Sequence, residues 1–355
     1  MAGFPLEEHF VTTADGYVLG TYRIPHGRHQ GPPAAGGACG RPVALLQHGL
    51  LDSSAAWVLN TPSQSLGFIL ADAGYDVWLG NSRGNAFSRN HTGLDPALPA
   101  FWDFTWDDMA AYDIPAAVDY VLQQSGCTQL AYVGHSQGTT QMFAALASNP
   151  ALRGKLCVAV MLAPAVHMRY IASPALQVLA AMDADKLFSL LGVAEFLPSR
   201  RATSDLFGQL CSETPALCAS IITAIAGFNA DNMNMSRLPT MVQYAPSGTS
   251  VKNLAHWAQA IRKSRERERP LVYHSVEPPS YDLGSISSPP LAIFHGGRDR
   301  LADERDVQTL LQALPPDAVV YSQLEESYEH LDFTWGIDAK DKVYPAVLDL
   351  LHMYQ

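Results

Sequence analysis

No stretch of this chain approaches the ~18 to 20 consecutive apolar residues that a membrane-spanning helix needs. Yet 48% of its 355 residues are hydrophobic and only 16% are charged. The expectation is a soluble or peripheral protein with a large core. Positive charge is scarce: 23 Lys and Arg stand against 34 Asp and Glu, a formal net charge of −11, with no strong basic cluster. Nucleic-acid binders concentrate positive charge on one face, so nucleic acid is excluded as an expected partner. Cysteine is sparse as well. Five residues (Cys39, Cys127, Cys157, Cys211 and Cys218) are too few and too scattered for a disulfide scaffold, although Cys211 and Cys218 enclose six residues and could close a small loop. The opening Met1-Ala2-Gly3-Phe4-Pro5-Leu6-Glu7-Glu8 lacks the basic and apolar regions of a secretory signal. As written, it predicts either an intracellular protein or one whose upstream start is missing. Asn90-His91-Thr92 and Asn234-Met235-Ser236 are N-glycosylation sequons that would matter only on a secretory route. No internal repeat is present.

What is there is enough chain for one large catalytic core and one insertion. Residues 9–24 alternate through Val11, Tyr17, Leu19 and Tyr22 around Asp15-Gly16, the pattern of a β-hairpin. The Gly, Pro and Ala-rich residues 27–40 read as a loop. Short, nearly continuous apolar runs follow at 43–47, 75–79, 130–133, 157–162, 291–294 and 319–324, separated by helical patterns such as 113–122 and 137–147. Strands apolar on both faces and separated by helices predict a mostly parallel sheet covered by helices, an α/β core. Between 162 and 290 the alternation stops and helical apolar stretches take over at 176–191, 217–228 and 254–261. The predicted organisation is a core of 1–162 and 290–355 with a helical cap or lid of 163–289 inserted.

Chemistry concentrates at Gly134-His135-Ser136-Gln137-Gly138, which lies directly after a strand pattern and directly before a helical one. A nucleophile elbow puts Ser on a strained turn and brings strand and helix too close for side chains at the flanking glycines, leaving the Ser oxygen exposed. A Ser hydroxyl also needs a base and a carboxylate to orient that base, and in the α/β-hydrolase fold they follow in the order Ser, Asp or Glu, His. Asp299 fits, in the Gly-rich turn that ends the 291–294 strand pattern. His330 fits, in the loop after the last strand pattern. Asp303 and Asp306 lie where a helix begins, so capping or first-turn roles suit them better. Among the other histidines, His295 sits in a strand end, His135 is inside the elbow and aimed away from the Ser oxygen, and His48 follows an early core strand. Acyl transfer further requires N–H donors for the developing oxyanion. Gln137, next to the nucleophile, and Leu50, in the turn Gln47-His48-Gly49-Leu50-Leu51-Asp52, are the natural pair.

These strings are similar to those of the acid lipase family that includes gastric and lysosomal acid lipases. The resemblance runs from Glu7 almost to Gln355, through residues 20–27, 46–51, 66–85 with Asn81-Ser82-Arg83-Gly84-Asn85, 132–140, 234–237, 247–251 and 329–333. It implies a hydrolase of triacylglycerols, cholesteryl esters or related neutral esters, working at an oil-water or membrane interface without metal or other cofactor. It places catalysis on Ser136, Asp299 and His330 and the oxyanion donors on Leu50 and Gln137. It also implies a lid within the cap, a cap disulfide matched by Cys211 and Cys218, and a secretory or lysosomal location. The charged residues 262–269 have no counterpart in that pattern and read as a solvated helical face. The fold alone does not separate hydrolysis from acyl transfer or peptidase chemistry. A non-catalytic lipid carrier is disfavoured, because all three triad residue types are kept.

Overall fold

The computed structural model describes residues 2–31, 39–181, 194–197, 208–209, 211–227, 229–264 and 280–355. Its strands are β1 (Glu7–Thr12), β2 (Tyr17–Ile24), β3 (Val43–Gln47), β4 (Asp76–Gly80), β5 (Asn90–His91), β6 (Leu130–His135), β7 (Leu156–Leu162), β8 (Glu195–Phe196), β9 (Thr249–Ser250), β10 (Leu291–Gly296) and β11 (Val319–Glu325). The alternating N-terminal segment forms the antiparallel pair β1 and β2. Strands β3, β4, β6 and β10 are buried at every residue, which is why they read as continuous apolar runs. Each fully buried Leu45, Val77, Val133 or Ile293 side chain gains on the order of 2 kcal/mol from leaving water. Edge strand β11 instead alternates between half-buried and exposed residues.

One mixed sheet results, with strand order β1-β2-β4-β3-β6-β7-β10-β11 and β5 paired beside β2. From β4 through β11 every pairing is parallel. Helices α1 (Leu66–Asp72), α2 (Ile114–Ser125) and α3 (Gln137–Ser148) pack on it, as do the later helices Glu304–Ala313 and Tyr344–Tyr354. After β3 the chain adds β4 on one side, then returns to add β6 on the other. The strand order therefore reverses at the β3/β6 boundary, and carboxyl ends flanking such a reversal are where α/β sheets open a crevice.

Between β7 and β10 lie α4 (Pro174–Ala181), α5 (Pro215–Ala226), α6 (Leu238–Tyr244) and α7 (Val251–Ser264). The predicted helix at 176–191 is described only as far as residue 181; 182–191 lie outside the described residues, as do Phe228 and 265–269 of the charged stretch. The segment is not wholly helical, since β8 and β9 pair antiparallel. Two-residue strands are too short to display an alternation, so the sequence carried no sign of them. Among the described residues no helix is long and apolar enough to cross a membrane.

The reading of cysteine needs correction. Cys211 pairs with Cys218, and Cys39 pairs with Cys127, leaving Cys157 as the free thiol. The second bond spans 88 residues, a pairing the sequence reading did not consider. Its cause is the sheet: β3 and β6 are parallel neighbours, so Cys39, four residues before β3, and Cys127, three before β6, arrive at the same edge.

Candidate active site

The carboxyl ends of four strands supply the site. Ser136 follows β6 and begins α3, with φ 54° and ψ −122°, a conformation that costs a non-Gly residue on the order of 1–3 kcal/mol. The strain is held by its surroundings. Ser136 N–H donates to Leu162 O on β7 at 3.0 Å, and a Cβ on Gly138 would meet Gln47 O at 2.6 Å, so only glycine lets α3 approach β3.

His330 lies in the loop after β11 with Nε2 2.7 Å from Ser136 Oγ. Its Nδ1 is 2.7 Å from Asp299 Oδ2. With the carboxylate accepting from Nδ1–H, Nε2 is left as an acceptor for the Ser hydroxyl proton. Asp299 Oδ1 accepts from the Leu301 and Ala302 amides, both at 2.8 Å. Burial alone would raise the Asp299 pKa, but His330 and these amides outweigh it and hold the carboxyl below its usual range. Asp303 instead caps helix α8 (Glu304–Ala313), its side chain accepting from Arg305 N–H. Asp306 sits in that helix's first turn and receives the Arg169 and Tyr170 amides at 3.1 and 2.9 Å.

The turn after β3 covers Ser136 so closely that a Cβ on Gly49 would lie 2.8 Å from Ser136 Cβ. Neither Leu50 N–H nor Gln137 N–H has a hydrogen-bond partner among the described residues. Leu51 takes a left-handed φ of 58°, and its carbonyl is gripped at 2.7 Å by Ser247 N–H from the inserted segment.

Several residues near the site had no role in the sequence reading. His48 Nδ1–H donates to Gly49 O at 2.8 Å, while Nε2 accepts from Ser82 N–H and Asn85 Nδ2 at 3.0 and 3.1 Å. Burial pushes its pKa down to about 4, so at neutral pH it is an uncharged brace for the turn. Asn81 Oδ1 accepts from Ser54 N–H and Asn85 Nδ2. Arg83, 1% exposed, is clamped between Asp15 and Asp113. The Asn81-Ser82-Arg83-Gly84-Asn85 string is thus a scaffold for the turn. His135 stays out of the Ser136 to His330 line, but its ring lies against His330 at 4.9 Å and its Nε2–H donates to His330 O at 2.9 Å. Asp332 takes the Glu329 amide at 2.7 Å and side-chain amides of Asn229 and Asn232, tying the histidine loop to the inserted segment. On the other side Gln137 Oε1 accepts from Trp257 Nε1 and Asn253 Nδ2 of α7, at 2.7 and 3.0 Å.

Above Ser136 is a pocket of about 100 Å³ walled by Leu50, Met168, Leu176, Ile225 and Trp257. Among the described residues no group of three His, Cys, Asp or Glu side chains is placed to hold a metal ion.

A strained Ser between β6 and its helix, hydrogen-bonded to a His after the last strand and through it to an Asp after the strand before, defines an α/β-hydrolase. The sequence agrees: residues 42–337 match the alpha/beta hydrolase fold model and residues 1–61 the partial alpha/beta-hydrolase lipase region. Human lipase member K is 40% identical over 99% of this chain and 89% of its own. Bovine gastric triacylglycerol lipase is 41% identical (98% and 88%), and human lysosomal acid lipase/cholesteryl ester hydrolase 39% (99% and 89%). The chain belongs to the acid lipase family of α/β-hydrolases. Among solved structures, an alpha/beta hydrolase from Penicillium superposes with a TM-score of 0.57 at 16% identity, covering 99% of both chains, a likeness of fold alone.

Proposed function

We propose that this protein is a carboxylic ester hydrolase that cleaves neutral lipid esters, such as triacylglycerols or cholesteryl esters, through an acyl-enzyme on Ser136. The observation that carries it is the continuous line Ser136 Oγ, His330 Nε2, His330 Nδ1, Asp299 Oδ2, with both spacings 2.7 Å, opening into an apolar pocket. His330 Nε2 takes the hydroxyl proton as Oγ attacks the acyl carbon, and Asp299 stabilises the imidazolium. The tetrahedral oxyanion lies against the free Leu50 and Gln137 N–H groups. His330 then protonates the departing alcohol; in the second half it takes a proton from water as the water oxygen attacks the acyl carbon, and it returns that proton to Ser136 Oγ as the acid leaves.

Residues 163–289 act as the cap. Their outward Val178 and Leu217, 56% and 50% exposed, are the side chains suited to meet a lipid surface. Trioleoylglycerol, cholesteryl oleate and short p-nitrophenyl esters, offered side by side from acid to neutral pH, test the reading. Release of fatty acid from the long-chain lipids supports it. Transfer of the acyl group to an added alcohol in preference to water, or cleavage of the short esters alone, contradicts it.

A further inference from the structure

The catalytic pocket does not end at Ser136. Six residues, Leu50, Leu51, Asp52, Ile225, Ala226 and Leu331, line both it and a second chamber of about 250 Å³. The far wall of that chamber is apolar, built from Ile222, Val242, Trp335 and the Cys211–Cys218 bridge. Among the described residues that line this second chamber, Asp52 is the one with an ionisable side chain, and it stands at the junction of the two spaces. It is 6% exposed. Its Oδ1 accepts from the adjacent Ser53 N–H at 2.7 Å, and Oδ2 has no partner among the described residues. Burial raises its pKa and the Ser53 amide lowers it, and among the described residues no cation offsets that burial. Oδ2 is not among the fully enclosed side-chain atoms left without a partner, so it faces the open space of the chamber, and an apolar group that fills this space leaves the carboxyl unpaired at a cost. A ligand group that completes it recovers that cost.

We propose that this chamber is a second subsite of the catalytic pocket, receiving an apolar ester arm that carries a hydroxyl group, and that Asp52 recognises that hydroxyl. The inference rests on the hydrolase reading above and adds the substrate class. An acyl chain or an alcohol arm can bring the same hydroxyl chemistry. The discrimination has a physical source, because a plain alkyl arm fills the chamber while leaving the carboxyl desolvated and unpaired, and sites built around a hydrogen bond reject ligands that lack it.

The test compares kcat/KM of the full-length protein for matched esters. One set is p-nitrophenyl palmitate and isomers hydroxylated near the carboxyl end, mid-chain or at the terminus. The other is palmitate esters of an alkanol and of the corresponding alkanediol. Wild type is expected to prefer at least one hydroxylated ester over its plain partner by on the order of tenfold, and the set in which this occurs identifies the arm that enters the chamber. Asp52→Leu should abolish the preference, and Asp52→Asn, which keeps an acceptor, should restore part of it. No preference in wild type, or one that survives in Asp52→Leu, overturns the proposal. Should Asp52→Leu not fold, the wild-type ratio and Asp52→Asn decide. If wild type cleaves no ester of either kind, it is the hydrolase reading that fails.

Discussion

The buried titratable residues around Ser136 divide by the sign of their burden. His48 and His135 have pKa values pushed down by burial, to about 4 and about 3. Both remain neutral in the native state at pH values where an unfolded imidazole, with its ordinary 6.5, takes a proton. The stability they contribute is therefore present above about pH 6.5 and lost as pH falls through about 4 for His48 and about 3 for His135. Asp52 has the opposite sign: burial raises its pKa from 3.8 to about 7, so the native state holds the proton more tightly than the unfolded chain. Its contribution is full below about pH 4 and is lost as pH rises through about 7. We expect the difference in Tm, wild type minus Asp52→Asn, to fall steadily across that window; a pH-independent difference would contradict the assignment. At His48, replacing the ring by alanine removes the donor to Gly49 O and the acceptor for Ser82 and Asn85. The turn bearing Leu50 then loses its brace, and kcat should drop by about 10- to 100-fold with a smaller change in KM, the pattern of a displaced oxyanion donor.

At the scale of elements, the inserted segment touches the core where the reaction is placed. Helix α7 reaches the elbow through Trp257 and Asn253 on Gln137 Oε1. The stretch before α6 reaches the histidine loop through Asn229 and Asn232 on Asp332. Trp257→Phe leaves the buried Gln137 oxygen with a single donor, which should cost about 1–2 kcal/mol in denaturant unfolding and lower kcat, since Gln137 also carries a proposed oxyanion donor. An unfolding curve superposable on wild type would show that the bond contributes nothing. Elements of this kind mark how far the sequence could be read. The elbow, Asp299 and His330 were legible because each depends on a local signal: glycines around a Ser, a strand-ending turn, a loop after the last strand. The braces were not, since His48 to Ser82, Asp332 to Asn232 and Gln137 to Trp257 are contacts between distant segments that only the packed sheet brings together.

Over the whole molecule, the same sheet order explains the site and the disulfide. The β3/β6 boundary puts the turn bearing Leu50 beside the elbow at the carboxyl edge and Cys39 beside Cys127 at the opposite edge. Sequence separation made the pairing look remote, and only the strand order makes it local. Closing an 88-residue loop removes chain entropy worth about 4.6 kcal/mol in the unfolded state, about twice what the short Cys211–Cys218 loop provides. Cys39→Ser with Cys127→Ser should lower Tm by several degrees while leaving kcat/KM within about twofold, because the bond lies at the edge of the sheet away from Ser136. A loss of activity without a loss of stability would place the bond in a functional role.

The central claim concerns Ser136, and trioleoylglycerol tests it most directly. Purified wild type and Ser136→Ala, each confirmed as folded, are compared for oleate release under identical conditions. Wild type is predicted to release oleate and the variant to be slower by about 10⁴-fold or more. A variant that retains wild-type release would show that the ester is cleaved by some other group and that the line from Ser136 through His330 to Asp299 is not the catalytic one.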